Sequence, residues 1–346
     1  MVNSSISKFH ARVTFYSGLA GRVKMVVFRW VIPLILAVAS SVDSRHDRPP
    51  VAQHGSNNPY DEEEANKIAM LINELDEDDE QNLWEWSGLF EGDILLDPSN
   101  GRNVILDETK RWPKGIVPVY IAENNFADKG KQVIREALKV ISKKTCIKFR
   151  RYREEDTSWV VFRSNASGCW SSVGMYPGGQ TVNLQKPSCV RRNIVIHEVL
   201  HALGFWHQQS ASNRDDYVRI LWENIIPKHK KNFKRYNTSI ITDFGIEYDY
   251  DSIMHYSAKA FSNNKKPTIE PLQPDVVLGK RKGLSKKDIA KVQHMYQSRC
   301  SERKNHETND ESHTSSSEQD PSNSLVRCSL FSARLESFRR RSQQRY

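Results

Sequence analysis

The run His197-Glu198-Val199-Leu200-His201-Ala202-Leu203-Gly204-Phe205-Trp206-His207 sets three histidines, a glutamate and a glycine in the register H-E-x-x-H-x-x-G-x-x-H. Imidazoles four residues apart on a helix lie one turn above each other on the same face, so His197 and His201 can reach one metal ion. Helical geometry alone does not bring His207 there. Gly204 can take the left-handed conformation that ends a helix, after which the chain turns back and delivers a third nitrogen. Three neutral imidazoles leave one open position on a tetrahedral Zn2+, the arrangement of a catalytic rather than a structural site. Glu198, beside the first histidine, is placed to take a proton from water in that position. A lone histidine is usually a satisfied core residue. Five fixed positions match by chance in roughly one of 10⁴ chains of this length, so the run reads as a metal site.

The helix that must carry it runs from Arg191 or Arg192 to Leu203, with Asn193 as an alternative N-cap. Upstream, Ile116 to Ile121 reads as a strand, and Pro118 hints at a sheet edge. Lys131 to Lys143 reads as a helix whose Val133, Ile134, Ala137, Leu138 and Ile141 form one apolar stripe. Short strands are expected near Cys146–Phe149, Trp159–Phe162 and Thr181–Leu184 from their β-branched and aromatic content. After His207 some 75 residues are rich in turn formers and charge, which suggests a second, irregular lobe. Ser285-Lys286-Lys287-Asp288 resembles a capping box with Asp for Glu. It opens a last helix with Ile289, Val292, Met295 and Tyr296 on one face, closed by Cys300.

The chain has 346 residues, 38% of them hydrophobic, with eight Trp, 12 Tyr and 13 Phe, enough for at least one sizeable core. A net charge of +9 is mild at this length and reads as solubility. No basic stretch is interleaved with aromatics, so nucleic acid is not an indicated partner. Trp30 to Ala39 are apolar behind Arg22, Lys24 and Arg29, and Ala37-Val38-Ala39 offers small residues for signal cleavage. About ten apolar residues are too few for a stable membrane span. Residues 1–41 therefore read as a leader and signal peptide, with Met25 an alternative start and a signal anchor the alternative reading. Residues 43–60 look disordered. Residues 61–80 are acidic, hold a short amphipathic helix at Ala65–Ile72, and are too small to carry a core of their own. Residues 301–346 are Ser-, Glu- and Arg-rich and read as a disordered tail. Of the five cysteines (Cys146, Cys169, Cys189, Cys300 and Cys328) none forms a C-x-x-C pair. Two disulfides and an odd thiol suit an oxidising compartment, and sequence alone does not choose the connectivity. Asn165-Ala166-Ser167 and Asn237-Thr238-Ser239 are candidate glycosylation sites, again pointing to a secreted, extracellular protein.

A second cluster, Tyr250-Asp251-Ser252-Ile253-Met254-His255-Tyr256, lies about fifty residues past the first. The long zinc motif followed by Ser-Ile-Met-His-Tyr resembles the metzincins, and within them the astacin-type metalloendopeptidases. The resemblance runs from about Phe90 to Cys300. It implies an α+β, two-lobed catalytic domain at residues 103–300. The N-terminal lobe would hold a twisted mixed sheet and two long helices, including the zinc helix. The C-terminal lobe would be mostly irregular, with a terminal helix. Met254 would be an apolar floor under the zinc site. Tyr256 would be a displaceable zinc ligand that swings to donate to the oxyanion of the tetrahedral intermediate. The resemblance also pairs Cys146 with Cys300 and Cys169 with Cys189. It leaves Cys328 free or linked to another chain.

Phe90-Glu91-Gly92-Asp93-Ile94 matches the family's propeptide motif. By that resemblance residues 42–102 form an acidic propeptide, Asp93 fills the open zinc position, and a trypsin-like protease cuts near Arg102 to free Asn103. The strand around Trp170 to Met175 would then pair with extended substrate. Two places depart from the family. Ser210 to Asn213 replaces the usual Thr-Arg-x-Asp run. Gln208 stands where the family usually has a Glu that pairs with the buried new amino terminus. Gln accepts a hydrogen bond but does not offset a buried ammonium. Gln208 therefore argues against a tuck of the family kind, or for one less tightly coupled to activation. The expected activity is hydrolysis of peptide bonds in proteins, through a zinc-polarised carbonyl and a water deprotonated by Glu198. The rival readings are a binding protein that kept the fold and lost the activity, with Gln208 its only foothold, and a matrix protein acting through its tail.

Overall fold

The computed structural model describes residues 49–315 apart from 51, 56, 76–80, 97–106, 239–241 and 280–281, with backbone only for 304–315. The leader and signal peptide, Arg102 and Asn103, Cys328 and residues 316–346 lie outside the described residues.

Helix α1 (Glu62–Glu74) starts where the Asp61 side chain accepts from the Glu64 N–H at 2.8 Å, with Glu62, Glu63 and Glu64 in its first turn. A capping acceptor and negative charge at the N-terminus both favour a helix there. Ile68 and Ile72, one turn apart, are its buried stripe. They join the main core rather than forming one of their own, together with Leu83 and Trp84 of a short 3-10 turn.

Five strands build the main sheet: β1 (Ile116–Ile121), β2 (Lys148–Arg151), β3 (Val160–Arg163), β4 (Cys169–Trp170) and β5 (Gln180–Leu184). Their order is β2-β1-β3-β5-β4, parallel except that β4 runs antiparallel to β5. The sheet is mixed, as anticipated. Pro118 does not mark an edge, because β1 lies between β2 and β3. The Val119 carbonyl accepts from the Tyr152 N–H on the β2 side. Backbone groups alternate sides along a strand, so Pro118 turns towards β3, where pairing begins only at Val119. Its missing N–H leaves no gap in the ladder.

Helix α2 (Asp128–Lys144) buries Ile134, Ala137, Leu138 and Ile141. It packs on α3 (Arg192–Ala202), which is buried on every side from Ile194 to Ala202. Arg191, not Asn193, is the residue before the first turn of α3. A helix apolar all round belongs inside a core, and that rigid setting holds the histidine-bearing face. The opposite sheet face carries a smaller cluster of Tyr152, Trp159 and Val161.

Beyond Gly204 the chain forms 3-10 turns and a two-stranded antiparallel sheet of β6 (Val218–Ile220) and β7 (Ile269–Pro271). Phe233, Tyr248, Tyr256 and Phe261 lie in a separate hydrophobic cluster here. Helix α4 (Lys286–Ser315) then returns Val292, Met295 and Tyr296 to the main core. Its capping box is reciprocal: the Asp288 N–H donates to Ser285 Oγ at 2.8 Å and the Ser285 N–H to Asp288 Oδ2 at 3.0 Å.

Two expectations for the ends of the chain are corrected. Helix α4 does not stop at Cys300 but continues to Ser315, so a wholly disordered tail from residue 301 is excluded. No Gly or Pro interrupts 301–315, and Arg303 anchors the continuation by donating to the Lys114 and Cys146 carbonyls at 2.9 Å each. Disorder over 43–60 is likewise not what is found in its described part. His54 bridges Gln180 in parallel, its N–H donates to Gly179 and its carbonyl accepts from Thr181. Ala52 is fully buried beside Tyr152 and Trp159. Backbone pairing beside the start of β5, which β4 covers only at Asn183 and Leu184, needs no hydrophobic pattern, so composition did not reveal it.

Candidate metal centre

Helix α3 stacks His197 and His201 one turn apart, both fully buried. Gly204 takes φ +109°, and the Phe205 N–H reaches back to the Leu200 carbonyl at 3.0 Å. That closure turns the chain so that His207 Nε2 lies 3.3 Å from His197 Nε2. Asp93 joins from the N-terminal segment. Its carboxylate is 2.9 Å from His197 Nε2, 3.3 Å from His207 Nε2 and 3.5 Å from His201 Nε2. The four donor atoms lie within 4.8 Å of one another.

Every Nδ1 in the trio is tied off. His197 Nδ1 meets the Ile253 carbonyl at 2.8 Å, His201 Nδ1 the Phe205 carbonyl at 2.7 Å, and His207 Nδ1 the Glu91 carboxylate at 2.9 Å. An acceptor on Nδ1 fixes the proton there and turns the Nε2 lone pair inwards, the usual outer support of a histidine metal ligand. Burial disfavours charge throughout the cage and pushes His197 down to about 4. Asp93 and Glu91 overcome burial at His207 and raise it to about 10. Burial would raise Asp93, but the charges of His207 and His201 hold it well below the usual carboxylate range. A buried negative oxygen that draws positive charge onto its neighbours suits a cation.

Zinc fits this donor set. Three imidazole nitrogens and a carboxylate are its common ligands. His201 Nε2 and Asp93 Oδ1 are buried with no hydrogen-bond partner among the described residues, as are both carboxylate oxygens of Glu198. Burial, and then the charge of Asp93, push Glu198 well above the usual carboxylate range.

Tyr256 is fully buried, its ring centroid 4.9 Å from that of His207. Its hydroxyl donates to the Glu91 carbonyl at 2.6 Å rather than entering the histidine cage. Met254 is buried in the main core, and its carbonyl accepts from the Gln208 N–H at 2.9 Å. Gln208 also has a cationic partner, since Lys291 Nζ donates to its Oε1 at 2.5 Å. Asp288 accepts from Ser252 Oγ at 2.6 Å and the Ile253 N–H at 3.0 Å, which braces the turn whose carbonyl holds His197.

Sequence reasoning missed three residues of the N-terminal segment. Glu91 accepts from Ser210 Oγ at 3.1 Å and Tyr236 OH at 2.5 Å as well as from His207. Glu85 is buried and accepts from the Ser257 N–H at 2.7 Å, just past Tyr256. Trp84 stacks on His197 with centroids 4.2 Å apart. Only Glu91 had a signal, as a member of the Phe90–Ile94 motif.

The same segment occupies the sheet margin beside the cage. The Ser171 N–H donates to the Asp93 carbonyl at 3.0 Å and the Leu95 N–H to the Ser171 carbonyl at 2.9 Å. The strand expected from Trp170 to Met175 is shorter, with β4 ending at Trp170. Disulfides join Cys146 to Cys300 and Cys169 to Cys189. Asn165 and Asn237 are both exposed.

Residues 104–297 match the family model described as Astacin, a peptidase family. The chain is 43% identical over 210 residues to meprin A subunit beta of Homo sapiens, covering 60% of this chain and 29% of that protein. It is 40% identical over 242 residues to the astacin-like metalloendopeptidase of Gallus gallus, covering 68% of this chain and 56% of that protein. A solved structure, the high choriolytic enzyme 1 of Oryzias latipes (Medaka fish), a hatching enzyme zinc-protease, is similar with a TM-score of 0.52 and 34% identity. That match covers 55% of this chain and 96% of the other. The chain thus spans less than two thirds of these two curated relatives.

Proposed function

Since the chain belongs to the astacin family of peptidases, we propose that it is a zinc-dependent endopeptidase, made as a secreted zymogen, that hydrolyses peptide bonds in proteins. The observation that carries this reading is the convergence of three histidine nitrogens and Asp93 within 4.8 Å. His197, His201 and His207 would hold one Zn2+, with Asp93 on the remaining position in the zymogen. Bound zinc supplies Lewis acidity, which polarises a carbonyl and eases loss of a proton from water.

The chain's own residues do the rest. Glu198 has a buried carboxylate with both oxygens unpartnered among the described residues. Following the first histidine directly, it would be the group that accepts a proton from the attacking water and passes it to the departing amine nitrogen. Tyr256, once freed from the Glu91 carbonyl, donates its hydroxyl hydrogen to the developing oxyanion. Met254 packs beneath the cage. Residues 42–102 act as the propeptide and 103–300 as the catalytic domain, with 1–41 as leader and signal peptide. A trypsin-like protease cutting near Arg102 would free the chain from Asn103. Asn165 and Asn237 are candidate glycan acceptors on the secreted product.

The test is to cleave the purified protein with trypsin and assay casein hydrolysis with and without a zinc chelator. Activity should appear on cleavage and disappear with the chelator and in Glu198→Ala. A folded, zinc-loaded, cleaved protein that leaves casein intact sinks the enzyme reading.

A further inference from the structure

Lys291 sits on the same face of α4 as Asp288 and Met295, turned inwards. It borders a cavity of about 60 Å³ lined by His207, Gln208, Ser252, Met254, Asp288 and Met295. Its ammonium donates to Gln208 Oε1 at 2.5 Å and has no ion pair within 4.0 Å among the described residues. Burial lowers its proton affinity, while Asp288, Asp249 and Asp243 act in the opposite sense and Lys287 adds to the lowering. Taking an ammonium out of water for one amide oxygen is unfavourable by itself, so its effect is to be sought in what the bond holds.

Gln208 follows His207 directly, and its N–H is bound to the Met254 carbonyl at 2.9 Å. The neighbouring Ile253 carbonyl holds His197 Nδ1 at 2.8 Å. Gln208 thus lies where the segments behind two of the three histidines meet, and Lys291 is the group that grips its side chain. We propose that Lys291 is a positioning residue, which fixes Gln208 and thereby the loop carrying His207 in the register of the metal cage. This inference rests on the zinc site of the proposed function. The cation involved is a half-buried side chain of the last helix and is in place while the N-terminal segment is still docked. Ordering of the His207 loop therefore does not wait for a new amino terminus.

The test uses the full, uncut, zinc-loaded chain and follows the rate at which zinc passes to a chelating dye. Lys291→Met and Gln208→Met should each speed release about tenfold, and the double variant should be no faster than either single one. Non-additivity of this kind marks a direct coupling. Lys291→Arg, which keeps the charge and the donor, should release zinc at close to the original rate. The visible spectrum of the cobalt-substituted chain should change in Lys291→Met with its thermal midpoint little altered. If Lys291→Met does not fold, Gln208→Met reads the same bond from its other end. Unchanged release in both single variants overturns the proposal, as do multiplicative effects in the double variant. Those results would leave the zinc enzyme reading standing. A folded chain that binds no zinc overturns both.

Discussion

Glu91 accepts the Nδ1 hydrogen of His207 at 2.9 Å while its own carbonyl accepts from the hydroxyl of Tyr256 at 2.6 Å. One residue of the N-terminal segment therefore holds a candidate zinc ligand and the candidate oxyanion donor together. In the proposed zymogen, latency would then not be the work of Asp93 alone.

Substitution should separate the two contributions. Losing one partner of a buried hydrogen-bonded group costs about 1–3 kcal/mol, or roughly five- to 150-fold in an opening equilibrium. Glu91→Ala in the uncut chain should raise casein hydrolysis within that range, and Asp93→Ala should raise it as well. A Glu91→Ala chain as silent as the parent would assign latency to Asp93 alone.

Glu198→Gln keeps the shape of the side chain and removes the proton acceptor. General acid–base groups contribute about 10²- to 10⁴-fold, so hydrolysis by the cleaved enzyme should fall by that factor with zinc content unchanged. Metal analysis beside the activity assay checks this. A parallel loss of zinc would give Glu198 a structural role instead.

Acid should weaken the fold through His255. Burial above all, with the charges of His207 and Lys291 adding, pushes His255 down to about 4. The Tyr256 carbonyl lies 2.7 Å from its Nδ1 and the Tyr248 hydroxyl 2.7 Å from its Nε2. The folded-state value is below the unfolded 6.5, so the unfolded chain takes up the proton first. The contribution is complete above pH 6.5 and is lost between about 6.5 and 4, about 3 kcal/mol in all. Urea midpoints across that range should drop less steeply in His255→Gln. An identical slope would count against His255 as the titrating group.

The metal-site spacing, the stripe of α2 and the cap of α4 were legible because each is a local pattern in which side-chain period or chemistry names the element. Glu91 and Glu85 were not read as site residues. Glu91 meets Ser210 and His207 across more than a hundred residues, and Glu85 meets Ser257 across 172. No local pattern encodes contacts of that reach. Pro118 misled because its usual meaning ignores which side of the strand its nitrogen faces. The expectation that the last helix ends at Cys300 leaned on apolar periodicity, which stops there, whereas the helix runs on through polar residues free of Gly and Pro, tied down by Arg303.

The two disulfides should differ in what they contribute. Cys146–Cys300 spans 154 residues and Cys169–Cys189 spans 20. Loop-closure entropy assigns them about 5 and about 3 kcal/mol. The paired Ser substitutions at Cys146 and Cys300 should lower the urea midpoint further than those at Cys169 and Cys189. The reverse order would show that native packing around Cys169, not unfolded-state entropy, sets the difference.

Residues 53 and 54 run beside the start of β5, which β4 pairs only at Asn183 and Leu184; there the Gln53 and His54 N–H groups reach the Gly178 and Gly179 carbonyls and the His54 carbonyl takes the Thr181 N–H. An uncovered strand margin is a template on which a neighbouring molecule can add its own strand. A chain that has lost this strip leaves the Thr181 N–H and the Gly178 and Gly179 carbonyls without these partners. The stretch around His54 therefore carries on, beside the start of β5, the row of backbone pairing that β4 supplies only at its far end.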